Sequence, residues 1–439
     1  MFHISLSSQE LTINLIYPLT PTPVELKGYL PVVCIISVVL CSNKNDCSTR
    51  NRYCKADKEY TQGDNDLPKK LKKDIDVQCE AFPNRVKYQP SRRNISFPIM
   101  IKKGILLGYG NPLLDISVQA QEDYLAKYDL KADNAILAED KHQPMYEEIP
   151  NIFTDVDYVP GGAALNTIRV AQLLLKEPNA TSFMGCIAHD KYGDILTKEA
   201  RDVGVDVKFQ YTDKAPTGTC AVICTGRCRS LVANLAAANC FSEDHLDNPE
   251  IWAAVEAAKF IYFGGYPLTV CPQAMLRIAK FASENNKTVL MNMSAPFLCT
   301  FFKEPMLKML PYADYWFGNE SEALEFAKAN DLGTDDIKEI AIKLAQWDKV
   351  NKSRSRIVVI TQGVSPAIVA QDDKATEYDI IPIKQEDIVD SNGAGDSFVG
   401  GFLSELVQGK DLESCMKKGH EVANKCLQNI GCTFRNTPL

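Results

Sequence analysis

Beyond Met100 the chain alternates between two textures. Short unbroken apolar runs close on glycine or polar residues, and between them lie stretches in which apolar residues recur three and four apart. The runs in ATSFMGCIA, AKFIYFGGY, KTVLMNMSAP, ADYWFGN and RIVVITQG predict strands, as does the one inside IKKGILLGYGNPLLD. DKYGDILTKEARDVG and PQAMLRIAKFASENN predict helices. A strand that is apolar on both faces has no side to offer to water, so such strands alternating with helices indicate a parallel sheet covered above and below. The fold class expected is α/β, a layered core around one mostly parallel sheet.

Two segments break the alternation. KADNAILAEDKHQPMYEEI with TDVDYVPGG, and later PTGTCAVICTGRCRSLVANLAAAN, read as hairpin strands without an intervening helix, TGRC supplying turn residues between two β-rich runs. A small β lid is expected beside the main sheet, with strands from about 116–160 and 215–240. Upstream of Met100 the texture differs again. The apolar stretch Tyr29 to Cys41 falls short of the roughly 20 residues that cross a bilayer, and no Lys or Arg precedes Lys27 to open a signal peptide. The basic PKKLKKD reads as a solvated charge run before it reads as a nuclear signal. Residues 1–99 are expected to be a poorly ordered extension.

At 439 residues, with 45% apolar and 24% charged side chains, the chain has the makings of a large core and a soluble surface. Its net charge of -8 is uneven: the residues before Ile99 carry about four more basic than acidic groups, and the remainder is strongly acidic. An acidic body argues against a nucleic-acid partner. Fifteen cysteines without regular spacing read as reduced thiols in the cytosol, and no membrane segment is expected. Cys220, Cys224 and Cys228 recur every fourth residue, but in a strand four residues span about 13 Å, too far for two thiolates to share a zinc about 2.3 Å from each. The five histidines are scattered and add no ligand spacing.

Candidate chemistry concentrates in DSNGAGDSFVGGF, Asp390 to Phe402. Gly393, Ala394 and Gly395 let backbone N–H groups converge at a helix N-terminus, where donors lack partners and the dipole is positive, so a phosphate fits there. Asp396 closes the turn. It would lie within reach of a hydroxyl attacking that phosphate, although with an ordinary pKa of about 3.9 it is a weak base for an alcohol. On these residues alone, an acid capping a glycine-rich helix start accounts for the pattern equally well.

The Gly-Ala-Gly-Asp turn resembles the C-terminal signature of the ribokinase-like (PfkB) family of sugar and nucleoside kinases, and Asn392 before it resembles the adenosine-phosphorylating members. GNPLLDIS, ILAEDKH, GGAALNT, RSLVANLAAANC, SAPF, FGNESEA and TQG agree in the same order, from Met100 to about Pro438. None of the likeness extends upstream, which makes 100–439 the kinase domain and suggests Met100 as the natural start. The resemblance implies a ribokinase-like three-layer sandwich with a β lid, and ATP-dependent phosphorylation of adenosine to AMP with Mg2+. By the same resemblance Asp396 is the base, and Gly393, Ala394 and Gly395 form the anion hole. Asp115 takes the ribose diol; Gly161, Gly162 and Asn166 grip the ribose, with Leu137 and Asn292 also on the nucleoside side. Arg229 is implied to reach the phosphates from the lid. Asn319 and Glu322, an N-x-x-E pair at a helix start, belong to the Mg–ATP water shell, although the pattern also fits a helix cap. Thr361, Gly363, Asn392 and His420 lie along the nucleotide.

Two positions depart from that pattern. Ala135 stands where a glutamine near the base is common, and Tyr266-Pro267 replaces a common Phe-Phe pair. Stacking on an aromatic ring contributes about 1–3 kcal/mol per base, so loss of a ring bears on base choice and not on ribose chemistry. The competing readings are a ribokinase- or fructokinase-like sugar kinase and a catalytically silent nucleoside-binding protein. A monomer in the cytoplasm, with the nucleus as a second compartment, completes the expectation.

Overall fold

The computed structural model describes residues 3–7, 10–14, 101–132, 134–226 and 228–439. The chain divides into two units, Met1–Ser91 and Arg92–Leu439. In the first, β1 (His3–Ser7) and β2 (Glu10–Asn14) pair antiparallel, His3 opposite Asn14. Apart from that hairpin, the expectations for residues 1–99 and for Met100 lie outside the described residues.

In the second unit β3 (Leu106–Tyr109) opens a main sheet, and three residues later β4 (Leu113–Gln119) leaves it for a lid sheet with β5 (Ala135–Leu137) and β6 (Asp157–Gly161). The main sheet continues with β7 (Thr181–Ala188) and β8 (Asp206–Thr212), the lid with β9 (Thr219–Thr225) and β10 (Cys228–Asn234). The main sheet is completed by β11 (Phe260–Phe263), β12 (Thr288–Asn292), β13 (Tyr315–Asn319), β14 (Ile357–Gln362), β15 (Ser365–Gln371) and β16 (Lys374–Tyr378). Its order is β16-β15-β14-β13-β12-β11-β3-β7-β8, parallel from β14 to β8 with two antiparallel strands at the other edge. Neighbouring residues in these strands point to opposite faces, and both are buried. Leu107, Phe263, Met291 and Trp316 join one core, while Leu106, Tyr262, Leu290 and Phe317 join the other. That double burial is why the strands read as unbroken apolar runs.

The lid sheet has the order β5-β10-β9-β4-β6. The hairpin of β9 and β10 forms as expected, Val222 opposite Leu231 and Thr225 opposite Cys228. The other segment differs from expectation. A helix, α1 (Gln143–Ile152), stands between β5 and β6, so these two do not pair as a hairpin, and β5 instead lies parallel to β10. Pro144 sits in the first turn, where its missing N–H is harmless, and Met145, Tyr146 and Ile149 form one buried face. The Tyr146 hydroxyl donates to the Val232 carbonyl at 2.7 Å and fixes the helix to β10.

Candidate active site

Four helices matter to the site: α2 (Ala163–Leu175), α3 (Glu320–Ala329), α4 (Ala394–Leu406) and α5 (Leu412–Leu427). α4 packs against both α2 and α5. The N-terminal ends of α2, α3 and α4 meet the C-terminal ends of β12, β13 and β14 and the cleft-facing side of the lid around a cleft of about 1400 Å³. That is where an open parallel sheet places its ligands, and the volume exceeds what one drug-sized molecule requires.

α4 begins on Gly393, whose φ of 74° lies in the left-handed region. A Cβ at that position would also approach the Cys432 sulfur to 2.5 Å, so the turn is fixed from behind. At Gly395 a Cβ would meet nothing within 4 Å, because this face opens into the cleft. Asp396 follows in the first helical turn. Its Oδ2 accepts a hydrogen bond from Asn166 Nδ2 at 3.1 Å, a partner in α2 and remote in sequence, which favours a site residue over a simple cap. Burial pushes the Asp396 carboxyl up to about 7, with the Asn166 bond opposing. The weak-base objection to an ordinary Asp does not apply to this one.

Asp115 lies within β4 on the lid and does not end the first strand of the main sheet, as its position in NPLLD suggests. Its carboxyl is also pushed up to about 7, chiefly by burial and then by the neighbouring Asp396, while Arg169 and Arg229 act in the other direction. Gly161 in β6 stands opposite Leu113 of β4, and a Cβ there would lie 2.2 Å from Asp115 Oδ1, so this glycine makes room for the carboxylate. Gly162 caps α2 with φ 90°, and a Cβ on it would meet the Asn111 carbonyl at 2.3 Å.

Among the described residues, Asn111 Nδ2 and Asn166 Oδ1 are buried without a hydrogen-bond partner, and both residues line the cleft. Buried polar atoms seldom stay unpaired unless something else completes them. Asn111 is a residue that sequence reasoning missed; its signal is a polar side chain two residues beyond β3.

Asn319 and Glu322 form the capping box of α3. Glu322 N–H donates to Asn319 Oδ1 at 2.9 Å, and Glu322 accepts from the backbone N–H and side-chain amide of Asn319, each at 3.0 Å. Both residues still line the cleft, and burial, followed by Asp396, pushes the Glu322 carboxyl up to about 7 against the Asn319 amide. Among the described residues no group of three or more His, Cys, Asp or Glu side chains is arranged to hold a metal ion.

The remaining predicted residues are distributed around the same cleft. Thr361, next to last in β14, donates to the Gly318 carbonyl at 3.4 Å; Gly363 turns the chain into β15 with φ 56°. His420, on α5, packs on Phe398 with ring centres 5.1 Å apart, and burial lowers its pKa. Asn292 accepts from the Ser294 N–H at 2.9 Å, and Leu137 on β5 is half exposed. Tyr266 keeps an aromatic neighbour, Phe297, with ring centres 6.3 Å apart. Arg229 meets Asp390, its Nη1 3.3 Å from Oδ2. Asp390 also accepts from the N–H groups of Asn392 at 3.0 Å and Gly431 at 2.7 Å.

The pattern that defines the pfkB family of carbohydrate kinases matches residues 122–438. Adenosine kinase 2 of Arabidopsis thaliana is 51% identical over 335 residues, 76% of this chain and 97% of that protein. Adenosine kinase of Schizosaccharomyces pombe is 44% identical over 332 residues, covering 75% and 96%. Among solved structures, Anopheles gambiae adenosine kinase in complex with P1,P4-di(adenosine-5) tetraphosphate superposes with a TM-score of 0.72 at 43% identity, covering 77% of this chain and 99% of that one. Schistosoma mansoni adenosine kinase in complex with 2-fluoroadenosine gives 0.71 at 34%, covering 76% and 98%. The layered α/β core with its lid is the architecture of these kinases.

Proposed function

Because the chain belongs to the pfkB family of carbohydrate kinases, we propose that it transfers the γ-phosphoryl group of ATP to the ribose 5′-hydroxyl of adenosine, giving AMP and ADP. The observation that carries this reading is the meeting of Asp396, hydrogen-bonded to Asn166, with Asp115 and the Gly393–Gly395 turn in one cleft.

Asp396 accepts the proton of the 5′-hydroxyl as the new P–O bond forms, while the bond from the γ-phosphorus to the ADP oxygen breaks. A carboxyl with a pKa of about 7 holds that proton better than an ordinary Asp does. Asn166 Nδ2 orients the carboxylate, and its Oδ1 is left to accept from the substrate. The N–H groups at the start of α4 face the charge that builds on the migrating group. Asp115 accepts from the ribose 2′- and 3′-hydroxyls, and Asn111 Nδ2 donates beside it. The base lies between the Tyr266–Phe297 wall and the apolar lid residues Leu113, Val222 and Leu231.

Mg2+ fits this donor set: Glu322 and Asn319 present oxygens to the cleft but are engaged with each other, so they suit an ion that reaches the protein through its waters. When bound, the ion neutralises phosphate charge. A monomeric, cytoplasmic enzyme is part of the reading. No helix among the described residues is long and apolar enough to cross a membrane.

The test is product formation by the purified protein with Mg–ATP and, separately, adenosine, inosine, guanosine, ribose and fructose. AMP from adenosine at the highest kcat/KM is expected. Faster turnover of ribose or fructose would replace this reading with that of a sugar kinase, and no turnover of any would replace it with that of a binding protein.

A further inference from the structure

We propose that Asp390 is a positioning residue through which the lid holds the phosphoryl-binding turn in shape, an inference that rests on the kinase reading above. Its side chain is 3% exposed, and its two oxygens serve three separate elements. Oδ1 accepts from the N–H of Asn392, the residue that enters the turn. Oδ2 accepts from the N–H of Gly431 in the C-terminal segment and faces Arg229 Nη1, carried by lid strand β10 and itself 11% exposed.

The next residue after Gly431 continues the support. Cys432 Sγ lies 3.3 Å from the Ser397 hydroxyl and 3.5 Å from the Gly393 carbonyl oxygen, directly behind the amides that face the cleft. Floor, C-terminal segment and lid therefore converge on one carboxylate. A buried carboxylate that accepts only two amide bonds remains a net charge in a poor solvent, and removing its cationic partner leaves that charge uncompensated. Arg229 completes the arrangement only while β10 stands over the turn.

The Arg229 contact at 3.3 Å is longer than the 2.7–2.9 Å or so of a strong charge-assisted bond, whereas the two amide bonds are of ordinary length. The amides thus fix Asp390 to the turn, and Arg229 ties the same carboxylate to lid strand β10. Asp390 touches no reacting atom in this account; it acts through the Asn392–Gly395 backbone and through Arg229.

The test compares steady-state kinetics of the full chain with those of Asp390→Asn, Arg229→Gln and the double variant. Asp390→Asn is expected to lower kcat about tenfold or more, as small displacements of a phosphoryl-binding turn do, with KM for adenosine within about twofold. The double variant should fall no more than about twofold below the worse single variant, since both changes break the same link. Asp390→Glu, which keeps the charge, should recover part of kcat, and it takes the place of Asp390→Asn in the cycle if the latter does not fold. A residue that merely stabilises the fold would lower the melting temperature while leaving kcat per folded molecule unchanged. Retention of kcat within twofold in the Asp390 variant, or losses that multiply in the double, overturns the inference while the wild type still makes AMP. A wild type that phosphorylates nothing overturns the kinase reading and this inference together.

Discussion

The two sheets of the catalytic unit are built on different terms. The main sheet is buried on both faces, so its strands are apolar throughout and its carboxyl edge is a rigid platform from which Asn292, Asn319 and Thr361 project. The lid sheet packs one face on helix α1, where Ile116, Ala221, Ile223 and Val232 meet Met145, Tyr146 and Ile149. Its other face, with Leu113, Cys220, Val222 and Leu231, looks into the cleft. The chemistry is divided along the same line. Of the residues proposed for the reaction, Asp396 and the Gly393–Gly395 turn belong to the main layer, and Asp115 belongs to the lid. Loss of the platform acid Asp396 should therefore appear in kcat, and loss of the lid acid Asp115 in KM.

The largest effect is expected on the platform side. Asp396→Asn should lower kcat by at least about 10²-fold, the scale of a lost general base, while calorimetric titration shows adenosine affinity little changed; a variant that keeps most of its turnover would separate this carboxylate from the chemistry. On the lid, Asp115→Ala should raise KM for adenosine by about tenfold to a hundredfold, since hydrogen bonds to a charged group contribute roughly 1.5–3 kcal/mol. An unchanged KM would remove the ribose from β4.

The raised carboxyl of Asp396 gives a third way to sharpen the comparison. The base must be ionised, and with a pKa of about 7 its ionised fraction falls about tenfold for each pH unit below that value, so kcat/KM should fall on the acid side of 7. A plateau extending down to pH 5 would contradict it. The same shift has the opposite sign for stability. A carboxyl whose folded pKa is raised disfavours the charged form in the native state, so stability falls as pH rises from about 4 through about 7. Asp396→Asn should accordingly melt above the wild type at pH 8, by a margin that shrinks toward pH 4. The smallest effect is expected at the base wall: Phe297→Ala should raise KM by about fivefold or more, the lower end of a stacking contribution of about 1–3 kcal/mol, with kcat preserved.

The same division decides what could be read from the sequence. Strands of the main sheet announce themselves because both faces are dry, and Gly393 to Asp396 announces itself because turn, helix start and acid are contiguous. The lid was legible only where its turn is local, in the hairpin of β9 and β10. α1 was misread as strand because KHQPMYEEIP mixes a proline at each end with few apolar residues, and its true period shows only once Met145, Tyr146 and Ile149 are seen to share a face. Within the site, the residues that escaped notice are those whose meaning depends on a distant partner. Asp390 has an ordinary place in the sequence until Gly431 and Arg229 reach it, and Asn111 becomes conspicuous only when its amide is found buried and unpaired.

The direct passage from β3 into β4 across three residues places Asp115, proposed to hold the ribose, and Asp396, proposed to accept the proton, on different layers joined by a short strap. An acceptor has to satisfy both before its hydroxyl stands in line with the nucleotide. Water, lacking a vicinal diol, has nothing to offer the first of them, and wasteful hydrolysis of the triphosphate is discouraged by the layout of the chain with no residue assigned to prevent it.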